Sequence, residues 1–214
     1  MKRSEIKNND SLSLKGRGIQ SGRSMIEMLG VLAIIGVLSV GGIAGYSKAM
    51  TKYRINKTIE QITLIAGNVR TFFAPQGNYD GLSSSSDTGK AIIKKAKLVP
   101  DEMLTLDSDG NISAITNAFD GSFHIGTLGS DNHKGFAFYI SKIPEEACIE
   151  LFSKDWSELK VSHLCNNGVT GPAKCVIPPA DFDKILILCN GVGKTGITLY
   201  FEVANCLSDD CSIL

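Results

Sequence analysis

The sequence predicts an α+β chain: one long amino-terminal α-helix, apolar in its first half, whose second half packs on a globular head with an antiparallel β-sheet. Three observations predict it. From Met28 to Ser47 run twenty uncharged, mostly apolar residues. Beyond them apolar residues keep a helical period as far as Phe73, and no proline occurs between Arg23 and Pro75. The remainder alternates short β-like runs with turn residues and holds all six cysteines. Four segments result: a leader at 1–22, an apolar half-helix at 23–50, an amphipathic half-helix at 51–75 and a head at 76–214.

Residues 1–22 are mostly polar, rich in Ser, Asn, Lys and Gly, and read as a disordered and disposable leader. The whole chain is neutral, with 22 basic and 22 acidic residues. Five basic (Lys2, Arg3, Lys7, Lys15, Arg17) and two acidic (Glu5, Asp10) residues belong to the leader, which leaves 17 basic and 20 acidic, a formal charge of −3. No basic face argues for nucleic acid as a partner. Six cations precede the apolar run, counting Arg23, and four follow soon after it, a bias toward a cytoplasmic amino terminus.

The twenty uncharged residues make about 30 Å of helix, the thickness of a bilayer's hydrocarbon core. The run is too long and too glycine-punctuated for the core of an ordinary secretory signal, and no A-x-A-like cleavage site follows it. Glu27 stands at its edge. A carboxylate there either meets a partner or is solvated by head groups at the interface. A cut after Gly22 would create a cationic amine on Arg23, about one helical turn from Glu27. Among bundled helices that carboxylate can pair with a neighbour's amine in a dry setting, which would set their register. Glycines 30, 36, 41, 42 and 45 permit close helix approach in lipid, and in water make Gly41-Gly42 a weak point or kink.

Past Lys52, Ile55, Ile59, Ile62, Ala66, Val69 and Phe73 form one stripe, while Lys57, Glu60, Thr63, Gly67 and Arg70 fall away from it. That is an amphipathic helix lying on a core. The pattern stops at Ala74-Pro75-Gln76-Gly77. A turn-rich connection through Ser83–Ser86 leads to a short helix at 87–98, capped by Ser86 or Asp87, with Ala91, Ile92, Ala96 and Leu98 inward. The stretch 104–120 reads as irregular, and strand candidates follow at 122–128 and 136–141. Pro144 opens a helix to about Lys154, with Glu145 and Glu146 in its first turn and Ala147, Ile149 and Leu151 to bury. Further strand candidates are 159–163, 184–189 and 196–203, the last two read as a hairpin across 190–195.

The cysteines (148, 165, 175, 189, 206, 211) cluster in the last third, an even set pointing to disulfides and an oxidising compartment. No C-x-x-C occurs and Cys206–Cys211 has no matching second pair, so zinc is disfavoured. Their connectivity is left open by spacing alone. Asp107-Ser108-Asp109-Gly110-Asn111 suggests a calcium loop, but its glycine comes too early and Ala118 fills the twelfth position. Gly191-Val192-Gly193-Lys194-Thr195 imitates a phosphate loop, yet Leu188 stands where the first glycine belongs and β-like residues follow. His124, His133 and His163 are scattered, and no nucleophile elbow occurs. The chain reads as a non-enzyme without cofactor or metal.

A basic leader ending in Gly22, Glu27 five residues on, and a run opening M-L-G-V-L-A-I-I-G resemble the class III signal of type IV pilins and pseudopilins. The resemblance implies cleavage between Gly22 and Arg23 by prepilin peptidase on the cytoplasmic face. It also implies N-methylation of Arg23, at a position where the family usually has an apolar residue, and assembly through Glu27 into a helix-cored filament. The head carries G-x-Y-x-G-L at 77–82, L-V-P at 98–100, N-A-F-D-G at 117–121, I-P-x-x-A-C-I-x-L at 143–151 and C-N-G-x-x-x-x-G-I-T-L-Y-F at 189–201. In this it is similar to the type IVb subgroup, whose disulfide between a helix cysteine and a late one implies Cys148 with Cys189. Cys165–Cys175 and Cys206–Cys211 would then close local loops. The resemblance further implies a single-pass precursor in the bacterial inner membrane, served by the pilus assembly machinery, and a homo-oligomeric extracellular pilus afterwards. The alternatives are a minor pilin or type II secretion pseudopilin, and, in another class, a non-assembling membrane-anchored periplasmic binding domain.

Overall fold

Helix α1 runs from Met25 to Phe73 and closes in a 3-10 turn, Ala74–Gln76, whose Pro75 and left-handed Gly77 end it. It is helical through Gly41 and Gly42. The structure, a computed structural model, describes residues 25–128, 134–168, 175–192 and 195–202. The chain divides into two units between Gly45 and Tyr46. In the first, the side chains of α1 are exposed throughout.

In the second unit α1 buries Ile55, Ile62, Ala66, Val69 and Phe73, as its stripe predicts, with Ile59 half-buried. Thr58, Gln61 and Ile65 are buried as well, so the face is wider than one apolar row. The Thr58 hydroxyl is satisfied by donating to the Arg54 carbonyl at 2.9 Å, which lets a polar residue sit in the core.

Helix α2 (Asp87–Lys95) is shorter than expected, and the Ser86 hydroxyl caps it by accepting from the Gly89 N–H at 3.1 Å. Its buried side chain is Ile93, whereas Ala91, expected inward, is exposed. The helix is rotated because Gly89 lies against the Ser83 backbone, where any side chain would collide. The stretch 104–120 is not irregular. β1 (Leu104–Leu106) and β2 (Ile112–Ile115) form a two-stranded antiparallel sheet, with Asp107 organising the turn between them.

The main sheet has five strands in the order β3-β4-β7-β5-β6, every pair antiparallel. They are β3 (Phe123–Thr127), β4 (Phe136–Ile140), β5 (Val161–Asn166), β6 (Cys175–Val176) and β7 (Ile197–Phe201). Helix α3 (Glu145–Ser153) buries Ala147, Cys148, Leu151 and Phe152, with Ile149 only half-buried and Pro144 as its N-cap. The strand expected at 159–163 begins instead at Val161, because Ser157–Leu159 coil into a 3-10 turn and Lys160 is left-handed.

The strand and hairpin expected at 184–203 are corrected most. Phe182–Cys189 is helix α4, burying Ile185, Leu188 and Cys189 at helical spacing. β7 therefore pairs with no preceding hairpin partner; it lies between β4 and β5 at the centre of the sheet. The residues around Gly191 connect a helix to a strand.

Phe123, Phe136, Phe138 and Phe201 on one sheet face meet the buried row of α1 in a single core with α2, α3 and α4. Phe136 and Phe201, neighbours across β4 and β7, stack with ring centroids 4.6 Å apart.

Candidate assembly site

Glu27 sits in the first turn of α1, where its negative charge complements the exposed N–H groups of the helix start. It is exposed, and so are Ile26, Leu29, Leu32, Ile35, Val37, Leu38, Val40 and Ile43. The most apolar 18-residue window of this helix has a mean hydropathy of 2.2 and buries none of its residues within the chain. Exposed leucines scattered over a head are ordinary; a rod of them with no cover is not. Length and composition make it compatible with membrane anchoring. Gly22 and Arg23 lie outside the described residues, as do Cys206 and Cys211.

Among the described residues two disulfides staple the head. Cys148 of α3 joins Cys189 of α4, with Cα atoms 5.6 Å apart and both side chains fully buried. Cys165 of β5 joins Cys175 of β6, its register partner, at 4.1 Å between Cα atoms.

The charged residues of α1 tie it to the head. Arg70 donates from Nε to Glu202 Oε1 at 2.9 Å and from a terminal nitrogen to the Leu159 carbonyl at 2.5 Å. Its guanidinium lies 5.8 Å from the ring centroids of both Phe136 and Phe201. Tyr79 donates its hydroxyl proton to Glu202 Oε2 at 2.7 Å, and burial, reinforced by that carboxylate, holds the phenol far above its usual range. Glu202 takes a left-handed backbone (φ 60°) at the end of β7. Sequence reading placed Arg70 off the core stripe and no more. The signal for its partner was absent, because Glu202 is 132 positions away. Lys57 pairs with Glu102 at 2.8 Å and Lys52 with Glu150 at 2.5 Å.

The Asp107 loop spends its carboxylate on itself: Oδ1 accepts from the N–H groups of Asp109 and Asn111 at 3.0 and 2.8 Å. This is a polar turn closed on its own backbone. Among the described residues no group of histidine, cysteine and carboxylate side chains converges on a metal position.

The profile of the family described as PilS N terminal matches residues 52–168, from the amphipathic half of α1 through β5. The chain belongs to the PilS N-terminal family. Among solved structures it is similar to the type IV b pilin from Salmonella typhi, at 15% identity over 68% of this chain and 97% of that one, with a TM-score of 0.51. It also matches TcpA, a type IV pilin from Vibrio cholerae El Tor biotype, at 12% identity over 70% and 98% of the two chains, with a TM-score of 0.44. No curated protein matches it. Family and fold agree with the type IVb resemblance read from the sequence. They make the chain a pilin-like structural subunit rather than an enzyme.

Proposed function

We propose that this chain is the subunit of an extracellular type IVb pilus, held in the inner membrane by α1 until assembly. Prepilin peptidase cuts between Gly22 and Arg23 and the new amino terminus is methylated. The apolar residues 25–50 then leave lipid for the helices of other copies. The observation that carries this reading is the uncovered first half of α1: twenty mostly apolar residues that stay exposed among the described residues. Water would not tolerate that surface, so lipid or copies of itself must cover it. Glu27 neutralises a neighbour's amine and fixes the axial step, because a carboxylate drawn into a dry bundle is costly without a partner. The inner-membrane assembly machinery performs the extraction.

Replacing Glu27 with alanine tests it. The expected product is a processed, folded, membrane-resident subunit that yields no fibres on shearing; normal fibres from that variant would refute the role. Replacing Gly22 with a bulky residue should leave the precursor uncut, seen as an unchanged intact mass. A processed chain present only in trace amounts in sheared fibres would assign it instead to the minor pilins or secretion pseudopilins.

A further inference from the structure

Between α2 and the β1–β2 sheet the head carries two hollows that run into each other. The larger, about 480 Å³, has Asp87, Lys90 and Lys94 of α2 on one wall and Asp107, Asn111 and Ser113 on the other. The smaller, about 220 Å³, continues past Ser84 and Ser85 to the start of β3. Lys90, Ile112 and Ser113 line both, so the two make one groove, of the size of a small-molecule site. The Lys94 ammonium donates to the Gly110 carbonyl and so joins the two walls at the β1–β2 turn.

The polar groups of this groove are not spent on the fold. Lys90 is half-buried at the junction of the hollows, and its ammonium has no ion-pair partner among the described residues. The side chains of Asp87, Asn111 and Ser113 likewise make no hydrogen bond among them. Ser84 is the sharper case. Its side chain is only 8% exposed, and its Oγ accepts from the Ile125 N–H at 2.9 Å. The hydroxyl proton finds no acceptor among the described residues, although a buried donor needs one.

This mixture selects the ligand. An unanswered cation calls for an anion, yet Asp87 and Asp107 in the larger hollow repel one of high charge. Hydroxyl, amide and carboxylate groups side by side both donate to and accept from a polyol. A peptide is disfavoured. Strand addition needs a free sheet edge, and the edge of β3 is taken, Ser84 N–H donating to Ile125 at 2.8 Å and Thr127 N–H to Leu82 at 3.0 Å. An amphipathic helix needs apolar pockets, whereas Ile112, Ile115 and Phe123 beneath the groove are already buried.

We propose that this groove binds an oligosaccharide bearing a sugar carboxylate. Lys90 holds the carboxylate, Ser84 donates its proton to the same sugar, and Asp87, Asn111 and Ser113 take the hydroxyls of the next ring. The proposal goes beyond the assembly reading and does not depend on it, since one subunit carries the whole groove. On a fibre the site recurs with every copy, so a weak affinity per site is raised by avidity.

Calorimetric titration of the full chain, held as single subunits in a sugar-free detergent, tests it. The probes are 3′-sialyllactose and trigalacturonate, with lactose, triglutamate and inorganic phosphate as controls. Saturable binding of at least one acidic sugar, about tenfold or more tighter than any control, is expected, because the charged hydrogen bond to Lys90 is absent with lactose. Which acidic sugar binds separates a sialylated surface from a uronate-bearing one. Lys90→Met should weaken that binding by about tenfold and leave the unfolding midpoint unchanged, since the Lys90 side chain holds nothing in the fold. Lys95→Met, an exposed cation outside the groove, should change neither. Failure of both acidic sugars to bind would overturn the proposal. So would a control that binds as tightly, undiminished binding by Lys90→Met, or an equal loss from Lys95→Met. None of these outcomes touches fibre assembly, and a chain that makes no fibres leaves the groove standing.

Discussion

The disulfide between α3 and α4 gives the sharpest quantitative test of how the head is held. Replacing Cys148 and Cys189 together with alanine opens a loop of sequence separation 41. The same exchange at Cys165 and Cys175 opens a loop of separation 10. Chain-entropy arguments assign about 4 kcal/mol to the first cross-link and about 3 kcal/mol to the second. Packing widens the gap, because Cys148 and Cys189 are fully buried between two helices whereas Cys175 is half-buried at the sheet edge. For a domain of this size about 4 kcal/mol corresponds to a drop of roughly 10 °C in the unfolding midpoint. The assay has a built-in probe. Trp156, the single tryptophan, is buried just beyond α3 and donates its indole N–H to the Leu151 carbonyl at 2.7 Å, so its fluorescence reports the head alone. Thermal unfolding of the whole chain in detergent should rank the unaltered protein above the β5–β6 variant, and that above the α3–α4 variant. An equal or larger loss from the β5–β6 variant would refute the reasoning.

Three further outcomes follow from the same geometry. Gly89→Val should destabilise the head by at least about 2 kcal/mol in urea unfolding, because a Cβ there would lie 2.0 Å from the Ser83 carbonyl oxygen. Arg70→Met and Glu202→Gln should each cost about 1–2 kcal/mol, reduced from the fully buried figure by their partial exposure. Their double variant should cost clearly less than the two losses added, as a double-mutant cycle would measure. His163 is buried in β5, and burial pushes its pKa below the ordinary value. The unfolded chain therefore takes up that proton first. The resulting contribution is complete above about pH 6.5 and is lost as the pH falls toward the folded-state value. The urea midpoint should accordingly drop between pH 7 and pH 5 by more in the unaltered chain than in His163→Phe.

The elements that could be read in advance are those whose signal is local. Helix α1 is long, periodic and free of proline, so its course to Phe73 follows from the pattern alone; β3, β4 and β7 are bounded by turns and rich in aromatic and branched residues. Helix α4 stands where the sequence predicts a strand, because Lys184-Ile185-Leu186-Ile187-Leu188 has the composition of one. Its helical state rests on the buried Ile185, Leu188 and Cys189, a tertiary fact that overrides propensity. The central place of β7 likewise depends on partners far away in the chain, which no local pattern encodes. β1 and β2, at three and four residues, are too short for alternation to declare itself. The phase of α2 is set by Gly89 meeting Ser83, a contact with no signature in hydrophobicity. In the candidate site, Glu27 and the apolar rod were legible because charge and hydropathy are properties of adjacent residues, whereas the Arg70–Glu202–Tyr79 clasp required the fold.

The central claim is that α1 is made to leave lipid for other copies of itself. Its most direct test is the intact mass of the chain recovered from fibres sheared off cells, taken with and without reduction. The expected result is fibres whose subunit begins at Arg23, one methyl heavier than the bare sequence. Subunits that retain Met1, found as single copies in the membrane with no fibre fraction, would contradict it.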